Sequence, residues 1–189
     1  MRSTGVILVM ALVALLTAQN LAMACTCSWR GPFAKVALGQ ELVVFGEVLD
    51  YYGYSMEVKV LEVLRGKEER STIRIWGDNG ALCRPYVTSF PIGTRWIFAV
   101  SALPEIRMND QSPSLWGRLF SSPSKRDYVI SICGDFWVAI RGERAVGRIT
   151  SPEHSQILEW VPLREIISWV RSNGHGVPLS PTPSPVIEP

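Results

Sequence analysis

Short segments in which apolar and polar residues alternate occupy much of the chain from residue 41 onward. This two-residue period is typical of half-buried β-strands, and turns that contain Gly separate several of the segments. The pattern predicts strands over residues 41–49, 55–64, 71–76, 95–102, 128–132, 136–140 and 145–149. We therefore expect β-structure to dominate the fold.

One of these segments changes its apolar face part-way along. Met56, Val58 and Val60 are apolar at alternate positions, and the apolar positions then move to Leu61 and Val63. An extra residue in a strand produces such a shift and bends the strand. The segment predicts a β-bulge near Val60, and curved strands of this kind are typical of small barrels.

A predicted central strand and a predicted C-terminal helix define the fold class. Residues 95–102 are apolar on both faces, which predicts a central strand. Apolar residues recur at helical spacing between Leu163 and Val170, so an amphipathic helix is expected over Leu163–Ser172, directly after Pro162. The prediction is an all-β domain with a C-terminal helix, and its first candidate is an OB-fold-like closed barrel of five to six strands.

The N-terminal residues have the pattern of an export signal. Arg2 gives a positive start, Val6–Leu16 is an apolar run, and Ala22-Met23-Ala24 fits the rule for signal cleavage. The apolar run is well below the ~20 residues that a membrane-spanning helix needs. We expect residues 1–24 to be a signal peptide, with no transmembrane segment in the mature protein. The mature protein would be secreted, or periplasmic in a bacterium, and would begin at Cys25.

The length and the distribution of proline predict the remaining boundaries. A chain of 189 residues has room for one compact domain, which we place at residues 25–173. Residues 174–189 contain five of the thirteen prolines, and a disordered tail is expected there.

Charge and histidine content exclude some functions. The formal net charge is only +2, and no run of Lys or Arg stands out, so we expect no nucleic-acid partner. Two histidines that lie far apart in the sequence do not form a His-based metal site, and no cofactor is predicted. The chain is expected to be a monomer.

The four cysteines, Cys25, Cys27, Cys83 and Cys133, are the main chemical feature. An even number of cysteines in an exported domain favours disulfides, and four cysteines allow three pairings. A bond between Cys25 and Cys27 would close a strained ring, so each is expected to reach across the fold. Zinc binding is the alternative, but the spacing is not that of the usual zinc motifs.

Several short motifs occur in a fixed order between residues 25 and 140. They are Cys25-Thr26-Cys27, Phe45-Gly46, Met56–Val60 with Arg65-Gly66, Ala81-Leu82-Cys83, Gly93–Trp96 and Cys133. In these motifs the chain resembles the N-terminal domain of the tissue inhibitors of metalloproteinases, a family whose OB-type barrel is called the netrin-like module. The chain is similar to the shorter members, since it lacks the second domain of the vertebrate inhibitors. It also carries Arg84 where the family usually has Gly.

The resemblance implies a disulfide pairing and a mechanism. It implies the bonds Cys25–Cys83 and Cys27–Cys133. It also implies that the α-amine and carbonyl oxygen of Cys25 bind the catalytic zinc of a target metalloproteinase. An α-amine with a pKa of ~7.7–8.0 loses its proton more readily than a lysine, which makes chelation near neutral pH accessible.

The neighbouring residues would contact the same protease. The resemblance places the Thr26 side chain in the specificity pocket, with Cys27 beside it. It places Ala81 and Leu82, tethered through Cys83, in adjoining subsites. The implied function is inhibition of zinc metalloendopeptidases by a secreted protein. An alternative reading of Thr26, Ala81 and Leu82 is that they are ordinary surface and loop residues.

Two other function classes are alternatives to an inhibitor. The first is a non-inhibitory, extracellular protein-binding module of the netrin-like type, which could be anchored by lipid, since Cys25 follows directly after a signal. The second is an enzyme, for which Asp135 and the pair Glu153-His154 are the only suggestive residues. Because nothing in the pattern shows acid–base groups converging on a pocket, Asp135 is interpreted as a turn or capping residue and no catalytic residue is predicted. Of the seven Trp residues, Trp29 is one of two expected at the surface.

Overall fold

The computed structural model describes residues 27–80, 82–103, 124, 126–152, 157–175 and 178–183, and in this part of the chain nine strands form one sheet. The strands are β1 (Leu42–Tyr52), β2 (Ser55–Arg65), β3 (Thr72–Trp76), β4 (Arg95–Ala102), β5 (Tyr128–Val129), β6 (Trp137–Arg141), β7 (Arg144–Gly147), β8 (Glu159–Pro162) and β9 (Thr182–Pro183). Two α-helices, α1 (Phe33–Val36) and α2 (Leu163–Arg171), and two 3₁₀ turns, Ala37–Gly39 and Val87–Ser89, complete the described elements.

Five strands close into a barrel in the order β1-β2-β3-β5-β4. The long strand β1 pairs antiparallel with β2 on one edge and with β4 on the other, which closes the ring. β3 pairs antiparallel with β2 and parallel with β5, and β5 pairs antiparallel with β4. The barrel is therefore mixed, and the predicted all-β, OB-fold-like class with a C-terminal helix is confirmed.

The other four strands extend the sheet from one edge of β4. β5 pairs with the end of β4 at Ser101 and Ala102, whereas β6 pairs with its beginning over residues 95–98. β7, β8 and β9 then follow in antiparallel order. β4 thus has neighbours on both edges and is central, as its apolar pattern predicts.

Aromatic side chains fill one end of the core. The ring of Phe90, which is fully buried, packs edge-to-face against Trp96, Phe98 and Trp137 at centroid distances of 5.1, 5.3 and 5.3 Å. Such pairs contribute about 0.5–1.5 kcal/mol each beyond the burial of their area. The aromatic residues of β4 and β6 are therefore packing residues.

The C-terminal helix closes the other side of the core. α2 buries Leu163, Ile166 and Val170, which lie three and four residues apart on one face, and it packs against β2, β7 and β8. It ends one residue before the predicted boundary. No helix within the described ranges is long and apolar enough to cross a membrane.

The predicted bulge in β2 is confirmed, and the predicted change of apolar face is right for Val63 but wrong for Leu61. Phe45 pairs with Glu62 and Gly46 pairs with Val60, so Leu61 is the extra residue. Leu61 is 39% exposed, whereas Leu64 is only 4% exposed. Val63 pairs with the buried Val44 and packs against the core, so the inward alternation of β2 shifts from Val60 to Val63 across the bulge, and a second irregularity follows at Leu64.

The glycine in the Phe45-Gly46 motif permits close packing of β1 on β2. A Cβ atom on Gly46 would lie 2.5 Å from Val58 Cγ1 and 2.9 Å from the carbonyl oxygen of Lys59. Real Cβ contacts are not this short, so any larger residue would push the two strands apart. The glycine of this motif is therefore explained by the close packing of β1 on β2 in the barrel.

Three short elements were not predicted. α1 has four residues, β8 has four, and β9 has two, which is too few for a periodic pattern. β9 lies inside the predicted tail of residues 174–189 and pairs with Glu159 and Trp160 of β8. The signal peptide predicted for residues 1–24 lies outside the described residues.

Candidate functional site

Three cysteines meet at one edge of the barrel. Cys27 and Cys133, which are 106 positions apart, form a disulfide with a Cα–Cα distance of 5.7 Å. The sulfur of Cys83 lies within 4.8 Å of both of their sulfurs, and Cys83 is itself disulfide-bonded. We call these three residues the cysteine edge. The bond between Cys27 and Cys133 is the one that the family resemblance implies, while the bond Cys25–Cys83 includes a residue outside the described part of the chain.

The backbone that follows Cys27 is fixed to the turn that contains Cys133. The N–H of Arg30 donates to the carbonyl oxygen of Cys133 at 2.7 Å, and the N–H of Asp135 donates to the carbonyl oxygen of Gly31 at 3.0 Å. These reciprocal hydrogen bonds align the two segments beside the disulfide. The exposed Cys27 is therefore presented on a supported backbone.

The loop that carries Leu82 is organised by Asp78. Its carboxylate oxygen Oδ1 accepts a hydrogen bond from the N–H of Leu82 at 2.8 Å, and its own N–H donates to the carbonyl oxygen of Pro85 at 2.9 Å. A Cβ on the preceding Gly77 would lie 2.5 Å from that same Pro85 oxygen. Gly77 and Asp78 together fold the loop back on itself.

A further hydrogen bond joins this loop to the disulfide. The N–H of Ile132 donates to the carbonyl oxygen of Cys83 at 3.1 Å. The two predicted contact residues that the structure describes, Leu82 and Cys83, therefore lie next to the turn of Cys133. Cys25, Thr26 and Ala81, the other predicted site residues, lie outside the described residues.

A partly buried ion pair between Arg148 and Asp135 supports the turn of Cys133. Arg148 donates to Asp135 Oδ1 through Nε at 3.0 Å and through Nη2 at 2.7 Å. Burial raises the pKa of the Asp135 carboxyl, and Arg148 offsets only part of that increase. Asp135 lies in a turn, as predicted, but its role as the partner of Arg148 was not foreseen.

Trp29 lies against the same carboxyl group. Its indole N–H acts to lower the pKa of Asp135, although among the described residues neither that N–H nor Asp135 Oδ2 forms a hydrogen bond of standard geometry. The indole nitrogen is buried. The expectation that Trp29 would be an exposed tryptophan is therefore wrong, because its ring is half-buried against the turn.

Glu159 holds the next segment in place. Its carboxylate accepts hydrogen bonds from the backbone N–H groups of Ile149, Thr150 and Ser151 at 2.8, 2.7 and 3.1 Å, and from the Thr150 hydroxyl at 2.8 Å. Burial alone would raise the pKa of Glu159, but these hydrogen bonds outweigh it and lower the pKa. The carboxylate thus stays ionised and caps residues 149–151.

The capped segment in turn holds α1. The N–H of Phe33 donates to the carbonyl oxygen of Arg148 at 3.1 Å, and the N–H of Ala34 donates to that of Ile149 at 2.9 Å. A chain of contacts therefore runs from Glu159 through residues 148–151 to the backbone that presents Cys27. No local sequence pattern marks these contacts, because their partners are distant along the chain.

A cleft of about 290 Å³ opens beside the cysteine edge. Leu82, Cys83, Arg84 and Arg30 line it, and the guanidinium of Arg30 lies 5.6 Å above the ring of Phe136. The cleft has a positive lining next to an apolar rim. Arg84, which departs from the family pattern, thus lies within the candidate site.

Two exposed apolar side chains flank the same edge. Tyr86 is 61% exposed and Ile132 is 43% exposed. Tyr86 follows Cys83 by three residues and Ile132 directly precedes Cys133. Exposed apolar groups around a rigid backbone are typical of protein-binding surfaces, where aromatic residues are enriched.

A second cleft, of about 450 Å³, lies at the turn between β2 and β3. Here Arg70 donates to both oxygens of Glu68, and the Tyr128 hydroxyl donates to Glu68 Oε2 at 2.8 Å. The hydrogen bonds from Arg70 lead the effects that hold the pKa of Glu68 at about 2. The acidic and basic groups here already satisfy one another, so we interpret this cleft as a structural network.

A comparison of the sequence with protein-family models finds no match, and a comparison with curated proteins finds none either.

Proposed function

We propose that the chain is a secreted inhibitor of zinc metalloendopeptidases, similar to the tissue inhibitors of metalloproteinases, which acts through the N-terminal Cys25 of its mature form. One observation carries the proposal. The bond to Cys133 and the nearby sulfur of Cys83 place Cys27, two residues after Cys25 in the sequence, on an exposed edge of an OB-like barrel.

The chemistry of this edge suits a catalytic zinc ion. Such an ion has three protein ligands and one open position that holds water. The α-amine and carbonyl oxygen of Cys25 can form a five-membered chelate that displaces this water. The disulfide at Cys27 and the hydrogen bond from Arg30 to Cys133 keep the following backbone rigid, which reduces the ordering cost of binding.

The neighbouring surface suits contacts with the rest of a protease cleft. Thr26 would enter the specificity pocket, and Ala81 and Leu82 would occupy neighbouring subsites. Asp78 fixes the backbone of Leu82, and Cys83 ties that loop to Ile132, so these contacts would be made by a preformed surface.

The test is one extra Ala placed before Cys25 in the mature protein. The former amine becomes an amide nitrogen, which is a poor metal ligand, while the cysteines and the core are unchanged. Loss of about 4 kcal/mol of metal binding would weaken inhibition about a thousandfold. The matched control carries one extra Ala after Pro189. Inhibition of a panel of zinc metalloendopeptidases would be measured with a fluorogenic peptide, together with the melting temperature of each variant.

The expected result is that the N-terminal extension removes inhibition without changing the melting temperature, while the C-terminal extension changes neither. If the N-terminally extended protein inhibits as well as its parent, chelation by Cys25 is wrong. If the parent inhibits none of the panel, the inhibitor proposal is rejected for those enzymes.

A second candidate function is a non-inhibitory binding module. The exposure of Tyr86 and Ile132 beside the cysteine edge favours it, because this surface could bind a protein partner without a free amine. In that case the double variant Tyr86→Ser with Ile132→Ser would lose the partner, and the Ala extension before Cys25 would have no effect. Lipid on Cys25, which intact mass would reveal, would be compatible with this function and not with chelation.

A further inference from the structure

The three sulfurs of the cysteine edge lie close together, and those of Cys27 and Cys133 are bonded to each other. The sulfurs of Cys27, Cys83 and Cys133 all lie within 4.8 Å of one another. In a tetrahedral zinc site with Zn–S bonds of about 2.3 Å, neighbouring sulfurs are about 3.8 Å apart. Once the disulfides are open, side-chain rotation can separate the sulfurs of Cys27 and Cys133 to that spacing, with the sulfur of Cys83 beside them.

We propose that reduction of the disulfides converts the cysteine edge into a binding site for one thiophilic divalent cation, of which Zn²⁺ is the representative case. Cys27, Cys83 and Cys133 supply three thiolate ligands, and the fourth position is left to water or to the thiol released from the disulfide partner of Cys83. This site is distinct from the chelation of a protease's zinc by the α-amine of Cys25. It therefore stands or falls independently of the proposed inhibition.

The backbone holds the three cysteines together without help from the disulfides. The N–H of Arg30 binds the carbonyl oxygen of Cys133, and the N–H of Ile132 binds that of Cys83. These hydrogen bonds connect the segment after Cys27, the turn of Cys133 and the loop of Cys83 in pairs. The ligands are thus brought together by the fold, which lowers the cost of ordering them around a metal.

The ion pair beneath the turn gives additional support. Arg148 binds Asp135 through two nitrogen atoms, and Asp135 donates its N–H to Gly31. None of these contacts involves a sulfur, so reduction leaves them in place. The Cys133 turn therefore keeps its position relative to the N-terminal segment when its disulfide is opened.

Reduction of the disulfides requires an external reductant, for which a dithiol is sufficient. For each protein disulfide, the dithiol transfers two electrons and two protons, the S–S bond becomes two thiols, and the reductant becomes a disulfide. Opening the Cys27–Cys133 bond and the bond of Cys83 yields four thiols, of which those of Cys27, Cys83 and Cys133 are the three ligands. One Zn²⁺ then displaces one proton from each thiol, and three protons pass to solvent.

The test is a metal titration of the full mature chain in its oxidised and reduced forms. The protein is reduced with dithiothreitol, separated from it without oxygen, and titrated with Co²⁺, whose thiolate charge-transfer and ligand-field bands report sulfur ligation and tetrahedral geometry. Zn²⁺ is then added to displace Co²⁺. The expected result is one Co²⁺ per reduced chain, displaced by Zn²⁺, and no sulfur-ligated Co²⁺ in the oxidised chain.

Variants assign the ligands. Reduced Cys83→Ser is expected to bind Co²⁺ more than about 100-fold more weakly, since losing a direct ligand exceeds the usual 10–100-fold cost of losing an outer-shell contact. Ser28→Ala, at an exposed residue next to Cys27, is the matched control and should bind as the parent does. Equal affinity of the parent and Cys83→Ser overturns the proposal, as does equal binding by the oxidised chain.

Far-UV circular dichroism covers the case in which the reduced chain loses structure. If the metal-free reduced chain is partly unfolded, Zn²⁺ must restore the β-sheet spectrum and raise the melting temperature, because a ligand that binds only the folded state stabilises it. A reduced chain that shows neither sulfur-ligated Co²⁺ nor a response to Zn²⁺ does not contain the proposed site.

Discussion

Replacing Glu159 by Ala is expected to destabilise the barrel and to loosen the segment that presents the cysteine edge. The carboxylate is the common acceptor for three successive backbone N–H groups, those of Ile149, Thr150 and Ser151. Their segment holds the backbone of Phe33 and Ala34. Loss of the Glu159 side chain should therefore also loosen the backbone of the N-terminal part of the site.

The magnitude follows from the burial of the donors. Ile149 is fully buried and Ser151 is 7% exposed, so their N–H groups lose their partner where water reaches poorly. Each buried donor left unsatisfied costs about 1–3 kcal/mol, whereas the exposed Thr150 can bind water. We expect the free energy of unfolding to fall by about 3 kcal/mol, since two such donors are affected. For a chain of this size that corresponds to a fall in melting temperature of about 6–12 °C.

Chemical denaturation and amide hydrogen exchange would measure these effects. Glu159→Gln keeps one acceptor oxygen and should lose about half as much stability, following the lower strength of neutral hydrogen bonds. Glu143→Ala, at an exposed carboxylate in the turn between β6 and β7, is the control and should stay within about 0.5 kcal/mol of the parent. In Glu159→Ala the amides of Phe33 and Ala34 should exchange faster. If Glu159→Ala costs no more than the control, the capping argument is wrong.

Three further changes have defined expectations. Gly77→Ala should destabilise the loop of Leu82 by about 1–3 kcal/mol, because its Cβ would lie 2.5 Å from the Pro85 oxygen, and an unchanged denaturation midpoint would contradict this. Glu68→Gln should cost about 1–2 kcal/mol at neutral pH, after screening by solvent. Because the pKa of Glu68 falls from 4.5 to about 2 on folding, its contribution is present above pH 4.5 and is lost as the pH falls through 2, so the two proteins should converge in acid. Truncation after Asn173 should cost about 1 kcal/mol, since it removes the short pairing of β9 and the packing of Leu179, and a loss above about 3 kcal/mol would show a larger role for this segment.

The elements that can be predicted are those whose own sequence shows which of their faces are buried. Residues 95–102 are apolar on both faces, and the structure places them between neighbours on both edges. The spacing of Leu163, Ile166 and Val170 is likewise a local record of one buried helix face. Such periodicity reports which side of an element is buried, and it does not report which element lies there.

For that reason the pattern of apolar and polar residues does not predict which strands pair or in which direction. Residues 128–132 were predicted as a strand, but only Tyr128–Val129 pair, and they pair parallel to β3. Direction and partner depend on the path of the intervening chain. The exposed Leu61 illustrates a related failure, since the extra residue of a bulge can be exposed even when it is apolar, while the new inward position is the following apolar residue, Val63.

The site was predictable only where covalent chemistry restricts the choice. Four cysteines allow three pairings, and the order of the motifs selects the one that includes Cys27–Cys133. In contrast, the sequence contains many arginines that could pair with Asp135. Only the folded structure shows that Arg148 is the one that does. The contacts of Glu159 with backbone groups carry no residue-type signal at all.

The closure of the barrel leaves β9 as the terminal strand of the described sheet. A terminal strand offers unpaired N–H and C=O groups to any other chain that can add a strand, which is a common start of aggregation. β9 is only two residues long, and Pro183 has no N–H to donate. This short, proline-containing border gives a neighbouring copy few groups to pair with, so it should keep the sheets of separate copies from joining into fibrils.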